Sequence, residues 1–494
     1  MDGTPAGRLE PGAAFPNARG PMSDELIRAD AVTLVGRLKK GELTPHDLLD
    51  ALEKRIAAVD SPVNALPTLC FDRARRHADA LMKKPVTERG QLAGMPIPIK
   101  DLVEVAGVRS TQGSPIFKDR ISEKSDILVE HLEAEGGIVY AMSNTPEFGA
   151  GANTFNEVFG ATRNPWNTSR SAAGSSGGAA VALATGTAWL AHGSDLGGSL
   201  RNPASFNGIV GFRPSVGRVA RTPEGALDQN LSQQGPMARN VEDVALLLDA
   251  MVGEDPRDPL SLPRTGESYL AAARGNWRPK RVAWSADLGI TKVDSEVAAI
   301  TAKAARRFAE LGVIVEEAHP DLTGLHECFQ TLRAYDFFMK KAKLLRSNRN
   351  LLKPEVIWNI EKGYKIDFNE LEAAENQRVS LARRYLAFFD KYDLLLTPAT
   401  VVAPYPIENR YVAEVNGHKF ANYVEWLAIA YAITVPCGAA LSLPCGFTSE
   451  KLPVGLQIAG PPRSEARILA AAKALEDVLG MKGTTPIDPR VMHG

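Results

Sequence analysis

Two serine-bearing glycine turns, Gly174-Ser175-Ser176-Gly177-Gly178 and Gly197-Gly198-Ser199, are separated by a run of small apolar residues from Ala179 to Ala191. This stretch constrains the chain more than any other. Glycine is placed where a backbone must bend sharply or come close to a ligand. The run between the turns suits a tightly packed helix, so both turns present hydroxyls near the ends of one buried unit. The pattern points to a site built from serine oxygens and backbone N–H groups.

The surrounding chain reads as alternating helices and strands. Thr44 caps a helix with Pro45 in its first turn and Asp47 as the returning acid, running to about Ala58. A second helix is expected over Phe71 to Leu81, and Gly94 to Val103 is rich in β-formers and in prolines that suit a sheet edge. Lys100 lies where that strand enters the core, beside Ile97 and Ile99, with Asp101 pointing to the opposite side. Burial can depress a lysine pKa by up to ~3–5 units, and a neutral buried amine is a general base for a hydroxyl. A helix over Asp126 to Ala134, a strand over Ile138 to Met142, a strand over Leu394 to Pro398 and a helix from Ser464 to Leu479 closed by Gly480 continue the alternation. They predict one α/β/α domain around a central mixed, twisted sheet over residues 23–480, with an N-terminal arm over 1–22 and a tail over 481–494. Asn144 to Phe148 and Arg163 to Asn167 are turn-rich loops expected to wall a pocket.

Bulk properties exclude several function classes. The 57 basic and 58 acidic residues give a net charge of -1, so neither nucleic acid nor an anionic membrane is called for, and a small neutral substrate is expected. Cys70, Cys328, Cys437 and Cys445 lack C-x-x-C spacing, so neither metal nor disulfide framework is expected; a reducing, cytoplasmic setting fits. Residues 1–21 have no basic region followed by an apolar run, which argues against a secretory signal. Ser171 to Ser194 and Trp426 to Ser449 are free of acids, lysine and arginine. The first is dominated by Ala, Gly and Ser and the second is broken by Pro436 and Pro444, so both are expected to be soluble core.

Gly94 to Asp101, the Gly174–Gly178 turn and Ser194 to Ala204 together resemble the signature of the amidase signature family of serine hydrolases. The resemblance continues through Gly208 to Ser215, Gly235 to Arg239, Leu394 to Pro398 and Leu452 to Gln457, covering roughly Asp24 to Gly480. It implies a Ser-cisSer-Lys triad with Ser199 as nucleophile, Ser175 as bridging serine after a cis Gly174–Ser175 peptide, and Lys100 as base, with no cofactor. Successive N–H groups of Leu196, Gly197, Gly198 and Ser199 would form the oxyanion hole. Asp195 and Arg201 are read as holders of that loop, and Ser176 as a supporting hydroxyl. The expected reaction is hydrolysis of a small amide through an acyl-enzyme, with esters or carbamates able to follow the same steps.

Two other readings compete. Gly174 to Gly178 also fits G-x-S-x-G with Ser176 as the nucleophile of an α/β-hydrolase esterase, but that motif needs a strand running into the turn, and Asn164 to Ser171 does not read as one. The second is the glutaminase component of a tRNA-dependent amidotransferase, its A subunit. That protein typically has glutamine where this chain has Asn202, and Arg221 to Gln234, with its Pro223-Glu224-Gly225, departs from it too. Phe329, Tyr335, Phe337, Phe338, Trp358, Tyr364 and Phe368 fall in helical sequence; those facing Ser199 would select an aromatic or apolar amide. A homodimer is left open.

Overall fold

The computed structural model describes residues 21–223 and 228–492. The expected arm over 1–22 therefore lies, apart from its last two residues, outside the described residues, as do Glu224 and Gly225. Every residue of the strands Leu190–Asp195, Leu394–Pro398 and Pro453–Gly460 is buried. Successive strand side chains point to opposite faces, so both faces of this sheet are covered. The result is an α/β/α arrangement.

Among the described residues the main sheet has eight strands in the order Ile314–Glu317, Arg281–Trp284, Leu394–Pro398, Pro453–Gly460, Ala439–Phe447, Val210–Arg213, Gln233–Ala238, Leu190–Asp195. The first three run parallel to one another and the remaining pairings are antiparallel, which makes the sheet mixed. A smaller sheet places Ile138–Ser143 between Thr68–Leu69 and Pro96–Lys100. Pro96 and Pro98 sit on an edge strand, where their missing N–H groups break no ladder. The open edges of the two sheets approach each other at Lys100, whose backbone N–H donates to His192 Nδ1 at 3.3 Å.

The charge-free stretches form short interior elements. Gly177–Thr185 is a helix whose nine residues are all buried, followed by Leu190–Asp195. Gly178 permits this depth: a Cβ there would lie 2.3 Å from Asn144 N and 2.6 Å from Ala65 O. The second stretch gives the helix Ala428–Thr434 and the strand Ala439–Phe447. Among the described residues no helix is long and apolar enough to cross a membrane.

Helix boundaries follow the capping chemistry. Pro45–Val59 opens with a reciprocal box in which Thr44 Oγ accepts from the Asp47 N–H and the Asp47 carboxylate accepts from the Thr44 N–H. Phe71–Met82, Ile127–Ala134 and Glu465–Leu479 fall where periodicity puts them, the last ending on Gly480 in the left-handed region. The segment beyond Gly480 is fastened to the body. Ile487 N–H donates to Ala184 O at 2.9 Å, Arg490 N–H to Pro165 O at 2.9 Å, and Arg55 pairs with Asp488 at 2.7 Å.

Candidate active site

Lys100 ends its strand fully buried, with Nζ 2.7 Å from Ser175 Oγ, 2.9 Å from Ser176 Oγ and 3.0 Å from Ser194 Oγ. Burial pushes this amine down to about 7, against the opposing pull of the Asp195 charge. A neutral lysine has two N–H donors and one lone pair to share among those hydroxyls. Ser176 Oγ already donates to Ser194 O and accepts from the Ser194 N–H, each at 3.2 Å, so its hydrogen is committed elsewhere. That leaves the lone pair to Ser175 or Ser194, and Ser175 makes the shorter contact. The Gly174–Ser175 peptide is cis.

His192 fixes the lysine strand from the neighbouring sheet. Its Nδ1 accepts from the Lys100 N–H, so the ring hydrogen resides on Nε2 and is donated to Gln234 Oε1 at 2.7 Å. Burial lowers this imidazole to about 3, so it stays neutral and positions the strand. His192 and Ser194, two apart on one strand, both face Lys100, whereas Asp195 faces the other way. Sequence reasoning missed both roles, although the period of two along Leu190–Asp195 carries them.

The second turn is built on Asp195. This buried carboxylate takes Arg201 in a fork, with Nε 3.0 Å from Oδ2 and Nη2 2.8 Å from Oδ1. It also accepts the N–H groups of Gly198 at 2.9 Å and Leu200 at 3.1 Å. Burial would raise its pKa; the Arg201 guanidinium, with Arg213 and the Gly198 N–H, outweighs that and holds it well below the carboxylate range. Arg213 donates to both the Asp195 carbonyl and its carboxylate. Arg201 reaches on to Ala430 O at 2.9 Å and Gln457 Oε1 at 2.6 Å, tying the turn to two distant segments. Removing the charge by Asp195→Asn leaves two buried guanidinium groups without a counter-ion. The expected loss is about 3–5 kcal/mol of stability, read from the shift in urea denaturation midpoint.

The four N–H groups expected from the sequence to face an oxyanion are not equivalent in this arrangement. The Gly198 N–H is engaged by the Asp195 carboxylate, while the N–H groups of Leu196, Gly197 and Ser199 make no hydrogen bond among the described residues. Gly198 itself has φ +105, and a Cβ there would lie 2.5 Å from Asn202 Oδ1 and 2.6 Å from the Ala430 side chain. Only glycine lets the turn fold this tightly.

Ser175, Ser194 and Ser199 open on one cleft of roughly 540 Å³, part of it open to solvent, with Leu102, Phe148, Leu196, Phe329, Phe337 and Leu427 as its apolar lining. The two turns are joined by the Ser176 N–H donating to Ser199 O at 3.2 Å. Ser176 is fully buried and does not line the cleft. Of the two loops expected to wall the pocket, the first does so through Phe148. The second does not: Asn164 Nδ2 donates to Ser171 O and Phe206 O, and Trp166 Nε1 to Asn207 O, so this loop clamps the helix Arg201–Asn207 from behind. Of the helical aromatics, Phe329 and Phe337 reach the cleft, while Trp358, Tyr364 and Phe368 are exposed.

Fold and family define a hydrolase acting on C–N bonds: the chain belongs to the amidase family, whose model matches residues 47–469. It is 33% identical over 469 residues to an acylamidase of Rhodococcus erythropolis, covering 94% of this chain and 98% of that one. It is 34% identical over 483 residues to the A subunit of the glutamyl-tRNA(Gln) amidotransferase of Moorella thermoacetica, covering 92% and 97%. Among solved structures, a bacterial aryl acylamidase of the amidase signature enzymes superposes with a TM-score of 0.85 at 27% identity, over 93% of this chain and 99% of that one.

Proposed function

We propose that this chain is a free-standing amidase that cleaves small aromatic or apolar carboxylic amides through an acyl-enzyme on Ser199. The observation that carries the reading is the buried Lys100 amine, brought near neutrality and held 2.7 Å from Ser175 at the floor of the cleft that Ser199 borders. In this mechanism Lys100 takes the Ser175 proton as Ser175 takes that of Ser199, whose Oγ attacks the amide carbon. The carbonyl oxygen gains negative charge against the N–H groups of Leu196, Gly197 and Ser199. Collapse of the tetrahedral intermediate breaks the C–N bond, and the relay returns the proton to the departing amine. Water then enters by the same relay and releases the acid.

The lining favours this substrate class over glutamine. Free glutamine carries an α-ammonium beside its α-carboxylate; Arg333 can meet the carboxylate, but no carboxylate lines the cleft among the described residues to meet the ammonium. A charge desolvated without a partner is heavily penalised. We expect kcat/KM for acetanilide-type amides to exceed that for glutamine by about a hundredfold or more. Faster glutamine turnover, or activity that appears only with a co-purified partner, would instead favour the amidotransferase reading.

A further inference from the structure

The helix Leu325–Asn348 lays Phe329, Arg333 and Phe337 four residues apart along the face that borders the cleft. An arginine between two aromatics on such a stripe is out of place in a purely apolar wall. Arg333 is 6% exposed and is the one charged side chain among the described residues lining the cleft.

Its partners orient it without neutralising it. Nη1 donates to Asn359 Oδ1 and Nη2 to Tyr423 Oη at 3.0 Å, and the guanidinium lies over the rings of Phe337 and Tyr423, 4.7 Å and 5.4 Å from their centres. No carboxylate approaches within 4.0 Å among the described residues. The nearby acids are already matched: Asp336 pairs with Lys340 at 2.8 Å, and Glu355 with Arg410 at 2.7 Å. Lys353, buried close by, donates to Ala150 O, and its charge is met by the Glu147 and Glu355 carboxylates rather than by Arg333's surroundings. A buried charge normally persists where something compensates it, and Arg333 has three N–H donors left over in a planar fork suited to a carboxylate.

We propose that Arg333 is a specificity residue that receives a carboxylate on the substrate, so that the preferred amides are apolar or aromatic near the scissile bond and anionic at their far end. This rests on the Ser199 reading above, because that serine sets which end of the cleft is reactive. The carboxylate would complete the charge balance that Asn359 and Tyr423 leave open, while Phe329 and Phe337 hold the apolar span between it and Ser199.

The test measures how well ligands slow fluorophosphonate labelling of the full-length protein. The ligands are phenylpropionate, phenylbutyrate and phenylvalerate, each set against the alcohol of the same length. The best acid is expected to protect about tenfold to a hundredfold more tightly than its alcohol. Arg333→Met should collapse that ratio toward one, each variant being normalised to its own unprotected rate, and Arg333→Lys should retain part of it. Equal protection by acid and alcohol in the unaltered protein, which requires no variant to fold, overturns the proposal; so does an unchanged ratio in Arg333→Met. Labelling that survives Ser199→Ala overturns the Ser199 reading instead, and the two failures are read from different arms.

Discussion

Ser199→Ala is expected to remove fluorophosphonate labelling altogether and to lower kcat on an amide by about 10⁴–10⁶-fold, the scale on which loss of a serine nucleophile acts in other relays. The expectation comes from accessibility and from hydrogen-bond accounting together. Ser199 borders the cleft, and its Oγ makes no hydrogen bond among the described residues. Ser176 is closed off beneath it, its hydrogen donated to Ser194 O and its lone pairs taken by Lys100 and the Ser194 N–H. Ser176→Ala should therefore still take the label, at a rate reduced about tenfold because Lys100 loses one of its orienting partners. Intact-mass spectrometry of both variants distinguishes the alternatives: label lost from Ser176→Ala and kept by Ser199→Ala would make the α/β-hydrolase reading correct. The structure already speaks against the strand that reading needs, since the residues before Gly174 form a loop rather than a strand running into the turn.

Much of the framework was legible because local chemistry determines it. The Thr44–Asp47 box, the Gly480 stop and the proline-bearing edge strand each depend on residues within a few positions of one another, and each formed where the pattern placed it. The contact between Asp195 and Arg201 is within reach of sequence reasoning for the same reason, the two residues being six apart on one turn. What could not be read depends on which distant segments meet. Nothing local announces that the strand ending in Lys100 and the strand carrying His192 lie edge to edge, or that Gln457 will meet Arg201. The oxyanion donors show the same limit at finer scale. Four successive N–H groups look equivalent in a sequence, and only the Asp195 side chain folding back on Gly198 separates one from the other three. Arg163 to Asn167 failed as a pocket wall because turn-rich composition marks a loop, not the side of the molecule on which it lies.

Lys100→Met retains the length and packing of the stem and removes the base, so kcat/KM should fall by about 10²–10⁴-fold with little loss of stability. The sharper expectation concerns pH. In the unaltered protein Lys100 must be neutral to accept a proton, and its pKa is brought down to about 7 by burial. Below that value the amine is charged and its lone pair is lost, so log kcat/KM should rise with a slope of about one per pH unit up to pH 7 and level off above it. The groups next to Lys100 do not supply this limb: His192 is lowered to about 3 and is already neutral, and Asp195 is held ionised by Arg201 and Arg213. Lys353, lowered to about 8 by burial, lies toward the Arg333 end of the cleft and is separated from Lys100 by the variant below. Lys100→Met should show a residual activity whose dependence on pH has lost that inflection, measured on a neutral anilide so that the substrate does not titrate. An inflection near 7 that persists in Lys100→Met would assign it to another group and remove Lys100 from the relay. The same titration offers an independent check on the partners, since Ser175→Ala removes the 2.7 Å contact and should slow the reaction while leaving the inflection in place, because burial rather than that hydroxyl sets the amine's pKa.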